Sequence, residues 1–438
     1  MSNSSRWQNS IRPLIVVFLF VGSMVNYTDR SVLGVVMPQV RRDLSLSNAN
    51  YALAIHAFLV MYACFYILGG RIADRLGYRR TFALTLVFWS FATAAHTFVQ
   101  GLRSLIFCQA ALGIGEGSYY PAAMRGAAEL FPPASRAKAV GTILSAISLG
   151  LLVTPPSVAW VTLHYGWRAT FLLFGVLGSL LVPPWLWLHR QLQRKQGKAG
   201  AAPWEARDAG TGSLAEDEVT LREFLKARKY WCVLAARACS DSAWYFYLFW
   251  IPGYFQDSRG LSLYSVGRLL WVPYFCACIG PLAGAVASST LIRKGWGLHR
   301  SRLTIMLAFA TLCVLSASAG FAPATSLALA LVSLALFSHQ ALSTNVHTVV
   351  TEISPPKHIA MLYGMTGAAG TFLGAVAQLV IGPLIDRHGY KPAFVWAGGM
   401  YLLAMGLLLS AGVLEPIRRR IAGLPASPAV PAREASLR

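Results

Sequence analysis

The sequence predicts an all-α membrane protein, with twelve transmembrane helices in two pseudo-repeated six-helix bundles. Composition is the first ground. Of 438 residues, 55% are hydrophobic and only 13% are charged, and mean hydropathy is +0.52. An average soluble chain carries about 25% charged residues. A fold with this composition cannot show water a mostly polar surface, which excludes disorder, collagen and an ordinary water-soluble enzyme. The second ground is periodic. Apolar runs fall near 13–37, 50–71, 80–100, 103–130, 137–163 and 169–190, then near 229–256, 264–292, 301–321, 323–350, 359–385 and 391–414. Each matches the roughly 20 residues a helix needs to cross hydrocarbon.

The third ground is a repeat at an offset of 223 residues. Phe131-Pro132-Pro133 returns as Ser354-Pro355-Pro356, Gly141 as Gly364, and Gly166-Trp167-Arg168 as Gly389-Tyr390-Lys391, with Phe171 returning as Phe394. Landmarks in register point to a duplicated unit. The expected division is an N-terminal bundle over 1–190, a linker over 191–228, a C-terminal bundle over 229–416 and a disordered tail over 417–438. The linker is charged and Gly/Ala-rich without helical period.

Taken in order, the first run is preceded by Arg6 and Arg12 and superficially resembles a leader peptide. No small-x-small cleavage site follows it, so it reads as a retained span. The formal charge of +21, from 38 Lys+Arg against 17 Asp+Glu, would suggest nucleic acid in a soluble chain. Here the excess lies on the loops and ends of one side, which predicts both termini and the linker in the cytoplasm of a cell inner membrane and no nucleic-acid partner. The seven cysteines lie within apolar stretches and form no CxxC pair, so neither a metal nor a cofactor is expected.

Gly70-Arg-Ile-Ala-Asp74-Arg75-Leu-Gly77-Tyr-Arg79-Arg80, between the second and third runs, matches the signature loop G-x-x-x-D-x-x-G-x-R-R of the major facilitator superfamily. The resemblance implies the major facilitator fold and a gating role for Asp74, Arg75, Arg79 and Arg80, with Asp74 accepting from a basic residue or helix N-terminus across the half to latch the outward-open state. Arginines facing lipid phosphates are the alternative. The second-half loop, Gly284 to Lys294, has Ser288 where the acid would stand, so a second latch is expected to be weak or absent.

Asn26-Tyr27-Thr28-Asp29-Arg30, Gly113-Ile-Gly-Glu116-Gly-Ser-Tyr-Tyr-Pro121 and Asp241-Ser-Ala-Trp244-Tyr-Phe-Tyr247, with His339-Gln340-Ala-Leu-Ser-Thr-Asn345, resemble the anion:cation symporter family. The similarity is to its bacterial hexuronate and sugar-acid branch. It implies that Arg30 binds a substrate carboxylate, for which a planar, permanently charged guanidinium is suited. It implies substrate contacts from Tyr62 and Asn345, and proton coupling through Asp29 and Glu116. Ionisable groups within a span are costly and by default functional or paired, so a structural Asp29/Arg30 network remains the alternative.

Trp244, Tyr247, His339 and Gln340 complete the expected substrate-binding set. His339 stands one repeat after Glu116 and can donate to hydroxyls, titrate, or serve a neighbouring helix. Asp241 either joins the aromatic wall of the seventh span or pairs with Arg237 one turn away. Relatives usually carry an arginine seven residues before the glutamate, where this chain has Gln109. That removes one cation from the region, and Glu116 is expected to be protonated more of the time than in its relatives.

No catalytic residues are expected: GxSxG, HExxH and P-loop patterns are absent from the sequence, which argues against an enzyme. The expected function is proton-coupled symport of a small organic anion, a hexuronate or related sugar acid, by a monomer working through alternating access. Proton-independent exchange or facilitation of another carboxylate, and a membrane receptor on the same scaffold, are the alternatives.

Overall fold

The computed structural model describes residues 3–131, 133–196, 224–354 and 359–412. The tail and most of the linker expected from the sequence lie outside the described residues. The helices are α1 (Asn3–Leu44), α2 (Asn48–Ala95), α3 (Leu102–Gly117), α4 (Tyr119–Leu130), α5 (Pro133–Ser179), α6 (Val182–Gln196), α7 (Arg228–Gly253), α8 (Leu263–Leu269), α9 (Trp271–Arg293), α10 (Leu298–Ser316), α11 (Thr325–Ile353), α12 (Ile359–His388) and α13 (Lys391–Ser410).

Two of these each carry more than one pass. Helix α2 is broken at Gly77 (φ 76°) and α5 at Gly166 (φ 82°), left-handed conformations that glycine adopts without Cβ strain. Helices α3 and α4 together form one pass, the end of α5 with α6 another, and α8 with α9 a third. The order is that of twelve passes. By length and apolar composition alone, eight stretches of the described residues qualify as spans. The remainder have physical reasons: α1 and α7 carry buried charges, α3 and α4 are short pieces, and 141–191 holds two passes in one stretch.

Large apolar side chains cover the outside. Phe91 is 72% exposed and Phe107 74% exposed, as suits a surface facing hydrocarbon, where backbone polar groups must be satisfied within the helices. The repeat is visible in the backbone. Gly166 and Gly389 both have positive φ, 82° and 69°, at corresponding inter-span turns. Phe171 and Phe394 are both buried. Phe171 stacks on His96 at 4.6 Å, and the ring of Phe394 leaves no room for a side chain at Gly320.

We call the face carrying the α1–α2 turn upper, and the face carrying Gly77 lower. On the upper face the bundles are tied together. Asp386 of α12 accepts from the backbone amides of Asn48 and Ala49 at 2.9 and 2.8 Å, and from the Asn48 side chain at 2.8 Å. A carboxylate on the first amides of α2 satisfies donors that the helix itself cannot. Arg41 pairs with Asp257, Gln39 donates to Gln256 at 2.9 Å, and Tyr51 donates to the Phe249 carbonyl at 2.8 Å. Most cross-bundle hydrogen bonds among the described residues lie on this side; the thiol of Cys278, 3.3 Å from the Ser148 carbonyl, is a contact elsewhere.

Candidate functional site

Beneath the upper seal, between the bundles, lies a cavity of about 310 Å³, within the usual range for small-molecule sites. Its walls are stripes of residues at helical spacing: Tyr62 and Tyr66 on α2, Arg237, Asp241 and Trp244 on α7, Gln340, Ser343, Thr344 and His347 on α11, and Tyr363, Gly367 and Thr371 on α12. Residues three, four and seven apart share a helix face, so each helix presents one polar or aromatic stripe inward.

Arg30 stands on the N-terminal side of this cavity. Its Nε donates to Glu116 Oε2 at 2.9 Å, with 2% and 0% of the two side chains exposed. One terminal nitrogen, Nη2, donates to Asn26 at 3.4 Å, and among the described residues Nη1 has no hydrogen-bond partner. The guanidinium lies 4.3 Å from the ring centroid of Tyr62 and 4.6 Å from that of Tyr27, so aromatic faces fix the plane of the fork.

The glycines of the fourth pass place Glu116. A side chain at Gly113 or Gly117 would collide with the α2 carbonyls of Phe58 or Tyr62, and one at Gly115 would strike Trp89. Small residues allow helices this close inside a membrane, and packing on those two sides leaves Glu116 directed to Arg30. Glu116 therefore sits behind Arg30 and does not line the cavity. Asp29 is also absent from the lining. It is buried and faces Thr93 and Trp89, yet neither its oxygens nor those two partners make a hydrogen bond of ordinary geometry among the described residues. A carboxyl group in this position needs a proton or a counter-ion.

The C-terminal wall has different chemistry. His339 stacks on Trp244 at 4.9 Å and shares a 3.0 Å hydrogen bond through Nδ1 with the Tyr401 hydroxyl. Both Trp244 and His339 line the cavity, as does Gln340. Arg237 Nε donates to Asp241 at 3.3 Å, so Asp241 does pair one turn back, while both residues face the cavity.

Two residues of the expected binding set lie elsewhere. Tyr247 is buried against Phe246 and Phe394 and is not part of the lining. Asn345 is also outside it: its amide donates to the carbonyls of Gly284 and Ala341, both at 3.1 Å, and its oxygen accepts from Arg302 at 3.3 Å. Arg302 also donates to Ser288 at 2.8 Å and to Glu352 at 3.0 Å. The second-half loop, although it lacks the acid, is thus fastened within its own bundle by an arginine.

The side chain of Asp74 lies outside the described residues. Arg75 and Arg80 are exposed and Arg79 is half-buried. Gln109 is turned to the upper end, where its amide donates to His96 Nε2 at 3.1 Å, while His96 Nδ1 donates to the Ala92 carbonyl at 2.8 Å.

The sequence reasoning missed Tyr66, Tyr120, His347, Tyr363 and Thr371, all of which line the cavity. For His347 a signal was present, since it continues the Gln340–Ser343–Thr344 stripe at helical spacing. Among the described residues no three His, Cys, Asp or Glu side chains gather where a metal ion would sit.

The comparisons agree with this architecture. The family model described as Major Facilitator Superfamily matches residues 19–377. The chain is 27% identical to the hexuronate transporter of Bacillus subtilis (strain 168), over 89% of this chain and 92% of that one. It is 26% identical to the "Probable galactarate/D-glucarate transporter GudP" of the same organism, over 94% of each. Among solved structures, a bacterial homolog of the human lysosomal transporter Spinster, in inward-facing and unoccupied conformation, superposes with a TM-score of 0.69 at 19% identity, covering 91% of this chain and 94% of that one. Those relatives are transporters and not enzymes; with the helical fold and the matched residues, they place this multi-pass membrane protein as a member of the Major Facilitator Superfamily.

Proposed function

We propose that the chain is a secondary active transporter for a sugar acid of the hexuronate kind, and that it couples uptake to protons. The observation that carries this reading is the buried Arg30–Glu116 pair at the wall of the central cavity. A substrate carboxylate arriving at Arg30 competes with Glu116 for the same guanidinium. Breaking a buried ion pair leaves the displaced charge uncompensated, at a cost of about 3–5 kcal/mol. Glu116 avoids that cost by taking a proton, so anion binding and proton uptake become one event. Asp29, buried without a hydrogen bond of ordinary geometry among the described residues, supplies a second proton-accepting group on α1. Tyr62, Trp244, His339 and Gln340 then meet the hydroxyls and apolar face of the sugar.

In the same reading the two bundles, 1–190 and 229–416, rock about this cavity. Asp386 and Asp257 hold the upper seal, and the loop of Asp74, Arg75, Arg79 and Arg80 acts on the other face. The excess of basic residues supports a reading with both termini on the cytoplasmic side of the inner membrane, and a central cavity lined by both halves of one chain supports a monomer.

The test is uptake of labelled galacturonate into proteoliposomes under an inward proton gradient. Accumulation that a protonophore abolishes is expected. Uptake indifferent to the gradient would instead mean exchange or facilitation, and ligand-dependent signalling without uptake would mean a receptor.

A further inference from the structure

Among the described residues two arginines line the cavity, one from each bundle, built to the same plan. Arg30 gives its Nε to Glu116 of its own bundle, and Arg237 gives its Nε to Asp241 of its own. Arg237 Nη1 donates to Thr366 and, at 3.4 Å, to the Tyr363 carbonyl. Among the described residues its Nη2 has no hydrogen-bond partner, as is true of Arg30 Nη1. Both guanidiniums lie against tyrosine rings, Arg237 at 4.9 Å from Tyr363. Beside Arg237 Nη2 stands Gly367, whose missing side chain leaves that nitrogen open: a Cβ there would sit 3.4 Å from it. Each fork thus keeps one terminal donor for something other than protein.

We propose that Arg237 is a second carboxylate-recognition residue, and that the preferred substrate is a dicarboxylic sugar acid bridging the bundles from Arg30 to Arg237. This rests on the sugar-acid reading above. A monocarboxylate engages Arg30 alone. The second carboxylate of an aldarate engages Nη2 of Arg237, while Asp241 continues to hold Nε and the plane of the fork. Charge-assisted hydrogen bonds to a fixed guanidinium discriminate well, because the analogue that lacks the partner leaves a buried donor unpaired.

The experiment is equilibrium binding to the purified full chain of three molecules on one carbon skeleton: galactarate with two carboxylates, galactonate with one and galactitol with none. Galactarate is expected to bind at least about tenfold more tightly than galactonate, an increment of the size that one charge-assisted hydrogen bond supplies. In Arg237→Gln that ratio collapses toward one. Because this variant leaves Asp241 without its partner, Arg237→Gln/Asp241→Asn removes the pair together, and Gly367→Ala crowds Nη2 through an ordinary contact without changing any charge; both are expected to lower the ratio. A wild-type protein that binds galactonate as tightly as galactarate overturns the proposal, as does a ratio unchanged in all three variants. If neither acid binds the wild type, the sugar-acid reading falls as well, an outcome recognised by the missing galactonate signal.

Discussion

The two arginine–carboxylate pairs of the cavity meet water differently. Arg30 and Glu116 expose 2% and 0% of their side chains, Arg237 and Asp241 9% and 17%. The N-terminal pair is sealed behind aromatic rings, whereas the C-terminal pair opens into the cavity beside a glycine. In a sealed pair neither charge can be left alone, so any change at one partner must be answered by ligand or proton. The second pair keeps its bond while a terminal nitrogen of Arg237 faces the cavity, so a ligand can be met there without breaking the pair. The two halves thus share their glycine turns at Gly166 and Gly389 and differ at the cavity. Glu116 corresponds to His339 one repeat later, and there a stack with Trp244 and a bond to Tyr401 replace the ion pair.

The largest effect that sharpens this contrast is expected at Arg30. Arg30→Gln should weaken sugar-acid binding at least about a hundredfold, close to 3 kcal/mol, and lower the melting temperature because Glu116 is left unpaired. Arg30→Gln/Glu116→Gln should recover the melting temperature and still fail to bind. Recovery of binding by the double variant would make the pair structural. Next in size is Asp386→Asn, which weakens the anionic cap on the first amides of α2. It should shift the population toward opening of the upper face by about tenfold, or ~1.4 kcal/mol, read as faster thiol labelling of a cysteine placed at Gln39. Unchanged labelling would remove Asp386 from the gate.

A smaller effect is expected at His339. His339→Asn keeps a polar group but loses the Trp244 stack, and should weaken binding about three- to tenfold, or ~0.5–1.5 kcal/mol, with the dependence on a proton gradient unchanged. Loss of that dependence would transfer the proton role to the C-terminal bundle. The smallest is Gln109→Ala, which breaks the side-chain hydrogen bond to His96 and should cost ~0.5 kcal/mol of stability without altering substrate affinity. A large affinity change would show that the upper pair communicates with the site.

Much of this was legible in the sequence because membranes make polarity conspicuous. Charges at Arg30, Glu116 and Arg237 stand out in apolar runs, and the repeat marked Gly166 and Gly389. What the sequence left open was azimuth. Asn345 and Tyr247 sit on the correct helices, but the side each shows to the cavity depends on which neighbour packs on the other side. For Asn345 that neighbour is Gly284 of α9, close enough for the amide to bond its carbonyl. The upper seal was illegible for a related reason: Asp386 and Asn48 are 338 residues apart, and a carboxylate at the end of one helix does not name the helix start it will cap. Gln109, which stands where a cation is expected, donates its amide to His96 at the end of the third pass.

The most direct test of the central claim is proton-driven accumulation of labelled galacturonate in proteoliposomes carrying either the wild-type protein or Glu116→Gln. With the wild type, the internal concentration should rise above the external one and fall back on addition of a protonophore. With Glu116→Gln, uptake should stop at equal concentrations while exchange across the membrane continues. Accumulation by Glu116→Gln equal to that of the wild type would contradict the account.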